Sequence, residues 1–540
     1  MEKVKCIGNE FYCDGSNQEK LQVSSCPKLC KIGDWLSTST NLEELKLRFS
    51  SLRILDISDC YKLETIPIRE RCSSLEKLHV SSCPKLSKIG DWLSTCTSLE
   101  ELKLNDCAYL SAIPDLEGFS SLRILDISDC HELETVPIRG RCSSLEKLHV
   151  SSCPKLSKIG DWLSTCTSLE ELKLNDCAYL SAIPDLEGFS SLRILDISDC
   201  HELETVPIRG RCSSLEKLHV SSCPKLSKIG DGLSTSTSLE ELKLNDCADL
   251  SSIPDLEGRC SSLEKLHVSS CPKLSKIGDW LSTSTSLEEL KLSGCANLSK
   301  IGDWLSTSTC LKELKLSNFP NLSFIPDLEG FSSLRILDIS ICNNLEIVPI
   351  GGQCSSLEKL HISSCQKLSK IGDVLSTSTS LEELKLSDCA NLSPIPDLEG
   401  RCLSIEKLLI SWCPKLSKIG DGLSTAPCLK ELKLSHCEEL EEFPGMDFIQ
   451  RLRLQELRLL GWEKLSSLPY QLQHLTALEE LEIQRFHGIE ALPDWLGNLS
   501  SVKCRRMVSC DKLMYLPSEH VMRSLSKLTT FIISACPQLE

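Results

Sequence analysis

The chain has 540 residues, a formal charge of −17 with both signs interspersed, and only 5% aromatic residues. A negative chain without a basic tail disfavours generic binding to nucleic acid or to an anionic membrane surface, and no stretch is apolar for long enough to cross a bilayer. The opening residues, MEKVKCIGNEFYCDG, lack the apolar core of a secretory signal, so the 33 cysteines are expected to be reduced thiols of a cytoplasmic or nucleo-cytoplasmic protein.

The chain repeats itself. The first leucine of each S-L-x-x-L-x-L/I/V string anchors a unit. After a weak start at Gln18 the anchors run Leu42, Leu52, Leu75, Leu99, Leu122, Leu145, Leu169 and onward to Leu454 and Leu478. Val502 and Leu528 continue at degraded spacing, giving about 22 units at a step of 23 or 24 residues. Residues 1–17 form a partial, uncapped segment, and 18–540 form the repeat domain. Within it, 42–51 is a truncated unit and 454–540 are divergent C-terminal units. Residues 99–168 and 169–238 are near-identical three-unit blocks, differing only where Trp162 becomes Gly232 and Cys166 becomes Ser236.

One unit shows the physics. In SLRILDISDCHELETVP, Leu122, Leu125 and Ile127 alternate at period two and predict a short strand with one buried face. Cys130, Leu133 and Val136 then turn inward, and Pro137 starts the return path. No unit can cover its own apolar edge, so each must close against the next. The predicted fold class is an α/β-type repeat solenoid, a leucine-rich repeat horseshoe. It has a parallel concave β-sheet and short 3₁₀ or irregular convex segments.

Counting from the anchor, position 9 is cysteine in most units, from Cys60 and Cys83 through Cys510 and Cys536, and Phe319, Trp462 or Phe486 in three others. Replacement by large rings argues for volume over chemistry. Neighbouring sulfurs would stand about 4.8 Å apart at strand spacing, but a straight column of thiols does not converge on a metal. A second set, Cys72, Cys96, Cys142, Cys166, Cys212, Cys260, Cys354 and Cys402, precedes the strands and reads as core edge.

Residues between the strand leucines face solvent. The central column includes Lys103, Asp126, His149, Lys173, Asp196, His219, Lys243 and His267, beside Glu101, Ile124, Lys147 and Glu171. It is either a solvated charge-laced face or a recognition surface of the kind solenoids offer. On the second reading the candidate contact residues are Asp126, His149, Lys173, Asp196, His219 and Lys243. The more individual C-terminal units add Arg458, Glu482 and Arg485. Trp462 and Phe486 are expected in the core. No P-loop, H-E-x-x-H, G-x-S-x-G or kinase signature is present, so neither catalysis nor a metal or other cofactor is expected.

The recurring L-x-x-L-x-L-x-x-C-x-x-L-x-x-I-P resembles the leucine-rich repeat region of plant intracellular immune receptors of the nucleotide-binding, leucine-rich repeat class. MEKVKCIGNEFYCDG and LTALEELEIQRFHGIEALPDWLGNLSS are similar to segments of the coiled-coil subclass. The resemblance implies a protein partner, either a pathogen effector or a guarded host protein, and self-inhibition of a nucleotide-binding domain. That domain's motifs are absent here, so the chain reads as a fragment of a larger receptor, and none of the domain's residues can be transferred. Three alternatives stay open: a substrate-recruiting module like that of F-box proteins, a secreted or membrane-bound repeat receptor, and a non-functional receptor remnant.

Overall fold

The computed structural model describes residues 19–26 and 52–540, apart from positions 67, 69–70, 115–118, 137, 139–141, 210–211, 255, 257–260, 278–280, 282–283, 299–300, 302–304, 306–308, 329, 351–353, 373–378, 394, 396–403, 420–425, 441–451 and 462–466. Pro137, Trp462, Cys260, Cys402, segment 1–17 and the truncated unit 42–51 therefore lie outside the described residues. The chain divides into two units, Met1–Ser284 and Thr285–Glu540.

In the first unit Lys20–Ser24 pairs directly with Ile54–Ser58. From there each five-residue strand lies parallel to and in register with the strand of the following repeat, as far as Lys265–Ser269. In the second unit the same ladder runs from Glu289–Ser293 to Thr530–Ser534. Among the described residues each unit holds eleven such strands. Strand order follows chain order, so the interstrand pairings come from successive repeats.

The cause is the alternation. In Ile124–Ser128 the second and fourth residues are buried and the other three half-exposed, and nearly every strand repeats this pattern. Leu122, Leu125, Ile127, Cys130, Leu133 and Val136 are all at most 2% exposed. Fully burying such aliphatic side chains contributes about 1.5–3 kcal/mol each before chain entropy is charged. Neighbouring repeats supply most of that contact surface, so the units stabilise one another.

The return side is irregular, as its lack of helical periodicity predicts. It carries one-turn 3₁₀ helices such as Asp91–Thr95, Asp161–Thr165 and Asp494–Asn498, and, among the described residues, one short α-helix, Glu519–Ser524. Two-residue strands pair in parallel there, for example Thr135–Val136 with Lys158–Ile159. Trp92 and Trp162 are 6% exposed, and each indole N–H donates to a carbonyl of the preceding repeat, Ile66 O at 2.6 Å and Val136 O at 3.1 Å. Where the copy carries Gly232, the backbone takes over the equivalent carbonyl: Gly230 N donates to Val206 O at 2.8 Å.

A feature not anticipated by the alternation ends every strand. Among the described residues position 8 is left-handed throughout, with φ between +49° and +57° at its non-glycine residues, among them Asp129, Ser152, Asp176 and Asn318. Its amide still joins the ladder, as when Asp129 N donates to Ser151 O at 3.0 Å. Aspartate, asparagine, serine and glycine predominate because their side chains tolerate or lack the Cβ clash of that conformation.

The position 9 cysteines are buried except Cys26 and Cys536, which are half-buried, and a weak polar contact adds to the volume they were expected to fill. Each thiol donates to a carbonyl two residues back, for example Cys153 Sγ to Ser151 O at 3.3 Å, and Cys130 Sγ also approaches Leu104 O of the previous repeat at 3.6 Å. Phe319 and Phe486 fill the same volume without that bond, both fully buried. Burial pushes the Cys107 and Cys177 thiols up to about 12, and among the pre-strand set Cys142 and Cys212 to about 11. No disulfide forms among the described residues.

Candidate recognition surface

The in-register ladder turns the central column into a physical row. In the first unit Lys103, Asp126, His149, Lys173, Asp196, His219, Lys243 and His267 are consecutive cross-strand neighbours. Parallel strands in register bring these side chains to within interaction range of one another.

The row is organised by glutamates of the adjacent column, to which the strand pattern alone assigns no role. Glu171, only 13% exposed, lies 2.5 Å from Lys173 Nζ, 3.4 Å from His149 Nε2 and 3.5 Å from Lys147 Nζ. Glu101 does the same with Lys103 at 2.6 Å, Lys77 at 3.0 Å and His79 at 3.3 Å. Glu241 pairs with Lys243 and lies 3.3 Å from His219 Nε2. Burial alone would push the Glu101 carboxyl up. The hydrogen bonds from Lys103 and Lys77, with the charges of Lys103 and His79, outweigh it and leave the group at about 2. Glu171 and Glu241 are lowered by the same contest between burial and the surrounding cations. The signal for these hubs is available in the strings KLHVS and ELKLN. Their register places a glutamate at position 3 directly beside the preceding strand's lysine.

Of the candidate contact residues, then, His149, Lys173, His219 and Lys243 lie against the half-buried Glu171 and Glu241. Asp126 and Asp196 have no ion pair among the described residues, and they are the unclaimed charges of this row. In the second unit Arg458 and Glu482 are direct cross-strand neighbours. Arg458 is already held among Glu456 at 3.1 Å, Glu480 at 3.8 Å and Glu482 at 3.8 Å. Arg485 lies elsewhere: it occupies the left-handed position 8 and extends Nη1 to within 3.3 Å of His436 Nε2.

A second row edges the strands at position 2. Arg123 donates Nε and Nη2 to the two carboxylate oxygens of Glu146, both at 2.9 Å, and Arg193 does so to Glu216 at 2.8 and 3.0 Å. These pairs are solvent-exposed and worth little in stability, but they fix side-chain positions along the rim.

The face is an open sheet of paired charges, not a cleft. Among the described residues no group of three or more His, Cys, Asp or Glu is placed to hold a metal ion. A shallow depression lined by Glu134, Lys155, Tyr179 and Glu202 contains none of the row residues. The histidines of the row face carboxylates and lysines, and no activated nucleophile accompanies them. No helix among the described residues is long and apolar enough to cross a membrane.

These features define the fold as a leucine-rich repeat solenoid: one strand per repeat, a parallel ladder, and short 3₁₀ or irregular returns. Solved structures share it at low sequence identity. YopM from Yersinia enterocolitica is 19% identical over 89% of this chain and 87% of its own, with a TM-score of 0.51. The Toll–Spätzle complex, described as a molecular hub in Drosophila development and innate immunity, aligns at 16% identity with a TM-score of 0.50, over 75% of this chain and 58% of that one. No protein-family model matches the chain, and no curated protein matches it.

Proposed function

We propose that the chain is a protein-recognition module of plant innate immunity, working as the sensing and self-inhibiting part of a larger intracellular receptor. The observation that carries the recognition reading is the continuous, in-register row of solvent-facing side chains, several of them held by half-buried glutamates. Side chains already held in place lose less entropy when a partner docks, which favours complementary binding. The immune setting rests on the repeat consensus and the terminal strings, and innate immunity also appears in the description of the Toll complex. In this reading the partner is an effector or a guarded host protein on the sheet face, and a nucleotide-binding domain is held inactive by contacts of the same module.

The decisive experiment is a full-length transcript across the locus, followed by co-expression with whatever the upstream frame encodes. A frame carrying G-x-G-x-x-G-K-T, whose product binds this chain and loses affinity with Asp126→Lys and Asp196→Lys, is the expected result. A promoter directly before Met1 would refute the receptor reading, and unchanged binding by the two variants would refute the role given to the face.

A further inference from the structure

Position 8 departs from its pattern in four consecutive repeats of the second unit. It reads Trp412, His436, Gly461 and Arg485 in place of the aspartates and serines seen earlier. Trp412 holds φ +55°, a conformation that bulky side chains avoid, and is 54% exposed. Its ring stacks on His436 with centroids 3.7 Å apart and planes 3° from parallel. His436 Nδ1 lies 2.7 Å from Ser435 Oγ and Nε2 lies 3.3 Å from Arg485 Nη1. An arginine can only donate, so Nε2 is the acceptor and the imidazole is the neutral tautomer protonated at Nδ1. Gly461 makes the reach possible: a Cβ there would stand 2.8 Å from His436 Cδ2. Backbone strain, a stacked pair and a required glycine thus combine to hold an exposed indole on an imidazole whose far edge meets Arg485.

The adjoining sheet face is unusual in the same place. Leu409 interrupts the polar central column, with Lys385 and Lys433 as its direct cross-strand neighbours. In Lys291 and Lys315 the ammonium is clasped by the glutamate two residues before it. The equivalent glutamates here are engaged elsewhere, Glu383 by His361 at 3.1 Å and Glu431 by Lys407 at 3.9 Å. Among the described residues Lys385 and Lys433 carry no ion pair.

We propose that Trp412 and Leu409, flanked by Lys385, Lys433 and Arg485, form a docking site for an acidic protein segment bearing an aromatic or aliphatic anchor residue. This deepens the recognition reading above and rests on it. Uncompensated cations around an apolar centre call for carboxylates around an apolar side chain, and exposed tryptophan and arginine are the residue types that carry interface energy when desolvated. A nucleic-acid strand fits less well. Its evenly charged backbone wants a continuous positive track, whereas Asp388 precedes Trp412 at position 8 and glutamates at 431, 456 and 480 punctuate the strands.

The test uses the full chain and fluorescence anisotropy with three probes: labelled Asp/Glu-rich peptides carrying one central Trp, Phe or Leu, their Asn/Gln counterparts, and an oligo(dT) strand. The acidic anchored peptides should bind, and the others should bind at least tenfold more weakly. Trp412→Ser, which installs a residue common at position 8, should weaken binding at least tenfold without lowering stability. The double variant Lys385→Gln/Lys433→Gln should weaken it several-fold and flatten its salt dependence. Equal binding of neutral peptides, preference for the oligonucleotide, no binding of any peptide, or indifference to Trp412→Ser would each overturn the proposal. If any of these occurs while Asp126→Lys and Asp196→Lys still abolish partner binding, the recognition reading stands and only this site falls.

Discussion

Replacing Arg505 by leucine should make the C-terminal repeats more stable. Arg505 occupies position 4 of Cys504–Val508, where Leu125, Leu148 and Leu172 sit in other strands, and it is 2% exposed. Its neighbours in register are Leu481 and Phe531. Nη2 donates to Leu496 O at 2.7 Å, but Nε has no hydrogen-bond partner among the described residues. Burial lowers the guanidinium from 12.5 to about 10, which corresponds to about 3 kcal/mol of disfavoured charge at neutral pH. Leucine would remove that cost and add about 2 kcal/mol of apolar burial, while losing a charged-donor hydrogen bond worth about 1.5–3 kcal/mol. The net expectation is a gain of about 2–3 kcal/mol. Because repeat arrays open in segments, the assay is native-state hydrogen exchange over the strands at 480–484 and 504–508, supported by urea denaturation. The unfolded chain holds this proton between pH 10 and 12.5 when the folded chain has lost it, so wild-type stability should rise with pH through that window relative to Arg505→Leu. Unchanged or lower protection in the variant, or parallel pH curves, would refute the reasoning.

Ile341 is β-branched yet holds φ +55° at position 8, so Ile341→Asn, matching Asn318, should add about 1 kcal/mol in chemical denaturation. Ser236 is fully buried, and its hydroxyl has no partner among the described residues. Ser236→Cys, which restores the residue of the twin block, should raise local exchange protection by about 1–3 kcal/mol. Glu101 has its folded value depressed to about 2 from 4.5, so its contribution is present above pH 4.5 and lost as pH falls towards 2; Glu101→Gln should flatten acid denaturation across that window. Cys310 and Cys428 are exposed while Cys107 and Cys177 are buried and raised to about 12. Site-resolved iodoacetamide labelling of the native chain should therefore modify the first pair well before the second.

The ladder is legible in the sequence because its cause is local. Leu125 and Ile127 alternate, and copying makes the alternation recur at one step, so the parallel register follows from spacing alone. Three things are harder to see. The glutamate hubs depend on which lysine a neighbouring strand presents, a relation across 23 or 24 residues that no single unit displays. The left-handed turn at position 8 is hinted at by its aspartates and serines but disguised by Ile341, Trp412 and Arg485. Arg505 defies the pattern outright, since a charged residue at a core position is what an alternation rule assigns to the surface. Grouping Arg458, Glu482 and Arg485 together reflects their proximity in the chain. The turn separates Arg485 from the strand row that holds the other two.

The twin blocks carry a consequence for the size of the molecule. The strand following Lys147–Ser151 is Glu171–Asn175, and the strand one block later, Glu241–Asn245, has the same five letters. An excision of 169–238 would bring the second into the first one's seat with every edge already matched. Length in this region can therefore change by whole modules with no interface to reinvent, which makes a longer or shorter sheet face easy to reach. The same interchangeability leaves a nascent chain with two equally good seats for one strand, so skipped or swapped modules are the folding error to which it is most exposed.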